Sequence, residues 1–456
     1  MAVLGGAMVL ASGLRAEIKL PPLFSDGMVL QCGAAVPVWG TAEAGAPVTV
    51  EFSGQAQTAT ADAKGQWWVK LTALKPCAEP RELRVKSSGG TRVVVPNVLV
   101  GEVWLCSGQS NMDRALAPRP PQPEILNWEK EVAAANYPKI RQFYVEGSSA
   151  MVPGGRADAT GKWLTCSPQT ASQFSAVGYF FGRALHKSLK VPVGLVVSAV
   201  GATPAELWIS RKDYEAIPGV DLTTIPANAG EHYNGRIVPL QPLGIRGVVW
   251  YQGESNNATG DKYYPLFSGL IKEWRQAWGW EFPFLFVQMP PHAYILPELR
   301  EAQLVTWQKV PRTAMVVTMD CGYPKDPTDW HPPDKVPVGE RLALAARAVV
   351  YGQKVEYSGP VYQGIKVVGA KAFLSFTHAG SALVAKGGEL KGFEIAGADG
   401  NFVKATAQIQ RNLVEVSSPT VAAPVSVRYG WTRVPDVNLF NKEGLPASPF
   451  RTDPAK

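Results

Sequence analysis

One serine of this chain lies in a local setting that suits a nucleophile. Ser110 stands in the segment Ser107 to Met112 (SGQSNM), directly after the apolar run Val98 to Leu105. A serine on a glycine-containing turn from strand to helix presents its hydroxyl at the sheet edge, where a base can reach it. The segment departs from the nucleophile-elbow motif GxSxG because Met112 stands where that motif has its final glycine. Taken alone, such a segment is an ordinary turn in most sequences.

A histidine with a nearby carboxylate is the matching candidate base. In the segment Asp329 to Pro332 (DWHP), the carboxylate of Asp329 precedes His331 by two residues. That spacing allows the carboxylate to fix the imidazole tautomer and to stabilise its charged form. The following prolines favour a rigid loop over a helix. A lone histidine is more often structural, so the neighbouring carboxylate is what makes this one a candidate.

Two more polar segments follow apolar runs. Gly201 begins the first, GATPAE, and its backbone N–H is a candidate donor to an oxyanion, although a simple turn glycine explains it as well. The second, WYQGESNN at residues 250–257, offers the amides of Gln252 and Asn256 as further donors. It also contains Glu254, the alternative to Asp329 as partner of His331. The same cluster is equally explained as a polar network that stiffens a loop.

The elements that would position these segments alternate between strand and helix. Apolar runs typical of buried strands are Val98 to Leu105, Gly194 to Val200, Ile245 to Tyr251, Phe284 to Met289 and Ala314 to Met319. Helical spacing of apolar residues lies between them, notably from Ser175 to Leu189. This pattern predicts an α/β fold with a doubly wound parallel sheet. Ligands bind beyond the carboxyl ends of such strands, which is where the polar segments lie.

The two ends of the chain are rich in short strand patterns. Runs of β-branched and aromatic residues about ten apart predict an N-terminal β-sandwich, and similar runs predict a C-terminal β module. The predicted division is a leader at 1–17, an accessory β-sandwich at 18–97, a catalytic α/β domain at 98–352 and a C-terminal β domain at 353–456.

Composition narrows the class of protein. Of the residues, 46% are hydrophobic and only 18% are charged, so the chain is globular rather than disordered. The net charge of +7 comes from scattered lysines and arginines, which argues against nucleic acid as a partner. Five cysteines and five histidines show no metal-like spacing, and we predict no metal, no cofactor and no disulfide framework. The oligomeric state is not predicted by any pattern.

The first residues have the character of an export signal. Residues 1–16 form a small apolar stretch that ends Gly-Leu-Arg-Ala, without the usual basic start. We therefore predict a secreted or periplasmic protein. No later segment approaches the roughly 20 apolar residues that span a bilayer, so no membrane span is predicted.

Together, these segments resemble the SGNH-hydrolase superfamily and, within it, the sialate O-acetylesterase-like carbohydrate esterases. The matching text comprises 101–112 (GEVWLCSGQSNM), 250–256 (WYQGESN), and the DWHP segment with its sequel VGERL at 338–342. Residues 24–31 (FSDGMVLQ) and 444–450 (GLPASPF) also match, so the resemblance covers nearly the whole chain after the leader. Two departures are the Asp-x-His spacing, where the superfamily often has Asp-x-x-His, and Ala202 in place of the second glycine of a Gly-Gly pair.

The resemblance implies a Ser-His-Asp acyl-enzyme mechanism that removes O-acetyl groups from sugars. It implies Ser110 as nucleophile, His331 as base, Asp329 as the orienting acid, and oxyanion donors from the backbone of Ser110 and Gly201 and from Gln252 or Asn256. The expected partner is an acetylated carbohydrate, either of the acetyl xylan type or an O-acetyl sialic acid. The alternatives are a carbohydrate-binding protein with a vestigial site, which the 14 tryptophans would suit, and a general short-chain carboxylesterase. Trp208, Tyr251 and Trp330 are candidates for stacking on sugar rings, and core packing explains them equally well.

Overall fold

The computed structural model describes residues 17–87, 90–147 and 159–454. The stretch on which the export signal is predicted, residues 1–16, lies outside the described residues.

The described strands fall into three groups along the chain. The first group is β1 (Val29–Gln31), β2 (Val36–Thr41), β3 (Pro47–Phe52), β4 (Gln55–Thr60), β5 (Gln66–Leu71), β6 (Cys77–Ser87) and β7 (Arg92–Gly108). The second is β8 (Tyr137–Tyr144), β9 (Trp163–Cys166), β10 (Val193–Ala199), β11 (Gly247–Tyr251), β12 (Phe284–Val287) and β13 (Thr313–Val316). The third is β14 (Val361–Val368), β15 (Lys371–Thr377), β16 (Leu383–Ala385), β17 (Phe393–Ala396), β18 (Val403–Lys404), β19 (Thr406–Gln410), β20 (Leu413–Ser417), β21 (Ser426–Tyr429), β22 (Leu439–Asn441) and β23 (Phe450–Arg451).

The helices lie between β7 and β14. The α-helices are α1 (Ser110–Asp113), α2 (Trp128–Ala133), α3 (Ala176–Leu189), α4 (Arg211–Glu215), α5 (Gly260–Trp278), α6 (Pro297–Lys309) and α7 (Val336–Val349). Short 3-10 helices are Ala171–Gln173, Ala205–Leu207, Leu222–Thr224, Val238–Leu240 and Glu254–Thr259, and Tyr233–Ile237 is a π-helix.

The centre of the fold is a parallel sheet. Its strand order is β13-β12-β11-β7-β10-β8, all parallel, with β9 added antiparallel at the edge. The strands β10 to β13 are buried along their whole lengths, as the continuous apolar runs predict for strands covered on both faces. The helical pattern predicted from Ser175 appears as α3, which packs against α7. The predicted α/β fold with a parallel sheet is therefore confirmed.

The long strand β7 joins the N-terminal strands to this sheet. Its first half pairs with β6 and its second half with β10 and β11, so β1, β3, β4 and β6 belong to the same 11-stranded sheet. A bulge at Asn97, with φ of 57°, interrupts the pairing with β6 without ending the strand. One hydrophobic core extends from Ile18 to Val361. The structure thus has a continuous strand where the sequence predicts a boundary at 97/98, and the division into domains stays a prediction.

The C-terminal strands form antiparallel sheets with a core of their own. Two four-stranded sheets, β14-β15-β20-β19 and β18-β17-β21-β23, enclose a second hydrophobic cluster that includes residues from Ala372 to Phe450. In the described part of the chain no helix is long and apolar enough to cross a membrane. All five cysteines lie within that part as free thiols.

Candidate active site

Three of the four polar segments leave the sheet side by side. In the register of the central strands, Gly108 at the end of β7 aligns with Ala199 of β10 and with Tyr251 of β11. The residues that follow each strand, including Ser110, Gly201 and Gln252, therefore begin at one edge of the sheet. Strand order changes direction at β7, and that is the position where open α/β sheets bind their ligands.

The turn before Ser110 requires a glycine at position 108. Its φ of 131° is unfavourable for other residues, and a Cβ there would lie 2.1 Å from the Tyr251 carbonyl oxygen. This close approach lets the Gln109 N–H donate to the same oxygen at 3.0 Å. Helix α1 then begins at Ser110, whose side chain is only 8% exposed.

The segment that contains His331 follows β13, which lies three strands away from β7 in the sheet. It nevertheless comes to lie against the segment of Ser110. Asn111, the neighbour of the candidate nucleophile, holds it there. Its Nδ2 donates to the Trp330 carbonyl at 2.8 Å and to the Glu254 carboxylate, and its Oδ1 accepts from Lys335 Nζ at 2.5 Å. All three side chains are buried. The Asn111 cluster (Asn111, Glu254 and Lys335) therefore ties three of the sequence motifs together.

The structure brings Asp329, and not Glu254, to His331. Asp329 Oδ1 lies 3.4 Å from His331 Nδ1 and accepts from the His331 backbone N–H at 2.8 Å. Glu254 contacts Asn111 instead, and burial raises the pKa of its carboxyl group. The Nδ1 contact is longer than an ordinary N–H···O bond, and such catalytic contacts often tighten only when substrate binds.

The other ring nitrogen of His331 accepts a hydrogen bond. The Gln122 amide N–H donates to His331 Nε2 at 3.3 Å, which fits an imidazole protonated at Nδ1 with a free electron pair on Nε2. That tautomer is the one a general base needs. The Ser110 hydroxyl makes no hydrogen bond with any residue that the structure describes, and the described partner of His331 Nε2 is Gln122.

The surroundings of His331 favour its neutral form. Burial and then the positive charge of Lys335 lower the pKa of His331 to about 4. The carboxylate of Asp329 acts in the opposite direction, and Arg114 adds a further lowering. At neutral pH the imidazole is therefore unprotonated and able to accept a proton.

This electrostatic setting predicts the pH dependence of the enzyme. A general base is active only when neutral, so with His331 in that role kcat/KM should hold down to about pH 5 and be half lost near pH 4. Arg114→Met removes one of the cations, so the midpoint should move up towards 6.5, the ordinary value. Arg119→Met is the control, because Arg119 is half exposed and pairs with Asp113 at 2.8 Å. A pH–rate profile in which the midpoint of Arg114→Met equals that of the parent would contradict this prediction.

Arg114 and Lys335 are site residues that the sequence reasoning missed. Arg114 has no exposed surface, and none of its three guanidinium nitrogens has a partner among the described residues. Burial lowers the pKa of Arg114 to about 10 and that of Lys335 to about 7. The signal that was available is spacing, since each follows a candidate catalytic residue, Ser110 or His331, by four positions.

Gly201 lies against the candidate nucleophile. A Cβ on Gly201 would be 3.5 Å from the Cβ of Ser110, and the next residue, Ala202, has the left-handed φ of 57°. Such a conformation costs about 1–2 kcal/mol for a residue with a Cβ, which is why a second glycine suits this position. Neither the Ser110 nor the Gly201 N–H donates to a described residue. Both N–H groups therefore remain candidate oxyanion donors.

The two candidate amides are bonded to neighbouring protein groups. Gln252 Nε2 donates to Asn256 Oδ1 at 2.7 Å, with longer contacts to Gln109 Oε1 at 3.2 Å and the Thr203 carbonyl at 3.3 Å. Asn256 Oδ1 also accepts from the Ala205 N–H, and its Nδ2 donates to Glu206, both at 2.9 Å. These bonds fix the segment that carries Gly201. Either amide would give up one of them to reach an oxyanion.

Comparison with known proteins decides the family. A model of carbohydrate esterases, described as sialic acid-specific acetylesterase, matches residues 100–348, more than half of the chain. The chain belongs to this family of sialic acid-specific acetylesterases. Sialate O-acetylesterase from Rattus norvegicus is 32% identical over 93% of this chain and 92% of its own length. The human protein of the same name is also 32% identical, over 93% of this chain and 91% of its own.

A solved structure supports the family assignment at the level of the fold. A carbohydrate acetylesterase from Xanthomonas citri is 42% identical, covers 96% of this chain and all of its own, and superposes with a TM-score of 0.88. This member of the sialic acid-specific acetylesterase family is therefore a carboxylic ester hydrolase. Among the described residues, no group of three or more His, Cys, Asp or Glu side chains is placed to hold a metal ion.

Proposed function

We propose that this chain is a serine carbohydrate esterase that removes O-acetyl groups from sugars, with Ser110 as nucleophile, His331 as general base and Asp329 as its orienting acid. One observation carries the proposal. The residue next to Ser110, Asn111, donates to the carbonyl of Trp330, the residue before His331, at 2.8 Å. This bond joins the segment of the proposed nucleophile to the segment of the proposed base, although the two lie far apart along the chain.

The mechanism is a two-step acyl transfer. The neutral His331 takes the hydroxyl proton as Ser110 Oγ attacks the acetyl carbonyl, and the resulting oxyanion accepts from the N–H groups of Ser110 and Gly201. Collapse breaks the ester bond, His331 protonates the departing sugar hydroxyl, and the acetyl group stays on Ser110. Water then attacks with its proton passing to His331, and acetate leaves as Ser110 regains its proton.

The first step requires His331 to exchange one partner for another. Its Nε2 accepts from Gln122 in the absence of substrate, and must accept from the Ser110 hydroxyl during attack. Gln122 lies four residues before Leu126, whose backbone N–H donates to the Pro333 carbonyl at 3.0 Å. The loop that carries Gln122 is therefore bonded to the loop that carries His331. Attack by Ser110 requires the partly buried Gln122 side chain to give up its bond to His331.

We further propose neutral plant-type glycans as substrates, at least as readily as sialic acids. A sialic acid carboxylate is best met by a bidentate guanidinium. Arg300 donates to four backbone carbonyls and Arg236 to three, so neither guanidinium is available. Arg114 has no exposed surface. These contacts support a site for an uncharged sugar.

Acetate release from a panel of glycans tests the proposed function. We expect release from acetylated xylan at least as fast as from an O-acetylated sialic acid, and faster hydrolysis of aryl acetate than of longer acyl esters. In a closed pocket, each added methylene must find room, and overpacking costs about 1–3 kcal/mol. Turnover of the sialic acid alone would contradict the substrate class. A preference for long acyl chains would favour the general carboxylesterase, and no hydrolysis at all would favour the binding protein.

A further inference from the structure

An exposed aromatic surface lies beside the candidate base. Of the three aromatic residues considered for sugar stacking, Trp208 and Tyr251 are buried in the core, whereas Trp330 is partly exposed. The Trp330 ring stacks on His292 with centroids 3.8 Å apart and planes 24° apart. The Tyr294 ring lies beside this pair, with its centroid 5.5 Å from that of His292 and 5.8 Å from that of Trp330, and Tyr294 is 52% exposed. We call Tyr294, Trp330 and His292 the aromatic platform.

The platform is held in a fixed arrangement. His292 Nε2 donates to the Thr328 carbonyl at 3.1 Å, and its Nδ1 accepts from the Tyr294 N–H at 3.1 Å. Burial lowers the pKa of His292, which keeps the ring in the neutral form that these two bonds require. The Ala293 N–H donates to the Pro327 carbonyl at 2.8 Å. The loop after β12 and the loop of His331 are therefore one bonded unit.

Backbone carbonyls of the C-terminal part of the chain hold the segment that carries the platform. The Arg433 carbonyl accepts from the His292 N–H at 3.1 Å and from the guanidinium of Arg300 at 2.8 Å. Arg300 also donates to the Thr432 carbonyl at 2.9 Å, and its side chain has no exposed surface. The His292 ring and the backbone that carries the platform are therefore fixed before a ligand binds, which lowers the ordering cost of binding.

We infer that Tyr294 and Trp330 form a stacking subsite for a pyranose ring of the substrate, next to the sugar whose acetyl group is attacked at Ser110. The inference rests on the proposed function and extends it to a chain of sugars. The Trp330 carbonyl accepts from Asn111, the neighbour of Ser110, so the rings belong to the segment of the candidate site. An aromatic face left in water there gains by covering the apolar C–H face of a sugar ring. The Tyr294 hydroxyl bonds to no described residue, so its ring contributes area without being required for the local hydrogen bonds.

The test compares substrates that do and do not reach the platform. In Tyr294→Ala, KM for an acetylated xylotetraose should rise roughly three- to tenfold with a smaller change in kcat, as the loss of one aromatic contact predicts. The loss in kcat/KM on the tetrasaccharide should exceed the loss on an aryl acetate at least threefold. Tyr294→Phe should restore the parent's KM. Trp68→Ala is the matched control, because Trp68 is 59% exposed and lies on β5, and it should leave both substrates unchanged.

A binding measurement separates this inference from the proposed function. In a Ser110→Ala background, which removes turnover, Tyr294→Ala should weaken the Kd for the same tetrasaccharide by a similar factor. Equal losses on both substrates, or an unchanged Kd, would overturn the subsite while leaving the esterase assignment intact. Failure of the parent to release acetate from every glycan would instead count against the proposed function.

Discussion

Ser110→Ala is expected to lower kcat by roughly four orders of magnitude or more, with the fold unchanged. In the proposed mechanism the Ser110 hydroxyl oxygen accepts the acetyl group, and alanine has no oxygen that could form that ester. The side chain makes no hydrogen bond to a described residue, and alanine keeps the backbone bonds that begin α1. The measurement is acetate release under saturating aryl acetate, with circular dichroism as the check on folding.

Ser255→Ala provides the matched control for that experiment. Ser255 lies in a neighbouring motif and is exposed, and only its backbone N–H, which alanine retains, donates to Gln109 Oε1 at 3.2 Å. It should keep nearly all activity. Retention of most activity in a folded Ser110→Ala protein would remove Ser110 from the mechanism.

Asp329→Asn should slow turnover by about 10²- to 10⁴-fold, and Glu254→Gln by much less. The asparagine oxygen can still accept from the His331 backbone N–H, so the loop stays in place while the charge that orients the imidazole is lost. Glutamine likewise retains an oxygen for Asn111. The two variants therefore differ mainly in which negative charge is removed.

The ordering of the two rates is the decisive result. Because Ser110 remains intact in Asp329→Asn, its residual rate should exceed that of Ser110→Ala. A larger loss in Glu254→Gln than in Asp329→Asn would make Glu254 the functional acid, and Asp329 would then serve only to shape the histidine loop.

Local patterns were sufficient to predict the α/β core. The run Gly194 to Val200 became β10, and the helical spacing from Ser175 became α3, because burial on both faces of a sheet or on one side of a helix imposes its own periodicity. The N-terminal strands were harder to assign. Strand β7 continues through Asn97, and a strand's sheet partners depend on contacts that are remote in sequence.

The contacts of the amides and cations of the site also could not be predicted from the sequence. The sequence marked Gln252 and Asn256 by their types, but their hydrogen-bond partners depend on the segment around Ala205. Arg114 and Lys335 belong to none of the four sequence motifs. They lower the pKa of His331 because the fold brings their positive charges near its buried ring. Electrostatic effects of that kind depend on distances that no linear spacing contains.

The sequence by itself determined the types of the candidate catalytic groups and the strands that precede Ser110, Gly201 and Gln252. Polar residues after apolar runs must emerge at the carboxyl ends of parallel strands, whatever the order of those strands. Only the tertiary structure decided that the segment of His331 lies against Asn111, the neighbour of Ser110, since a loop from the edge strand β13 has many paths. The buried bonds of Asn111 to Glu254, Lys335 and the Trp330 carbonyl select one of them, because breaking any would leave a buried polar group unpaired.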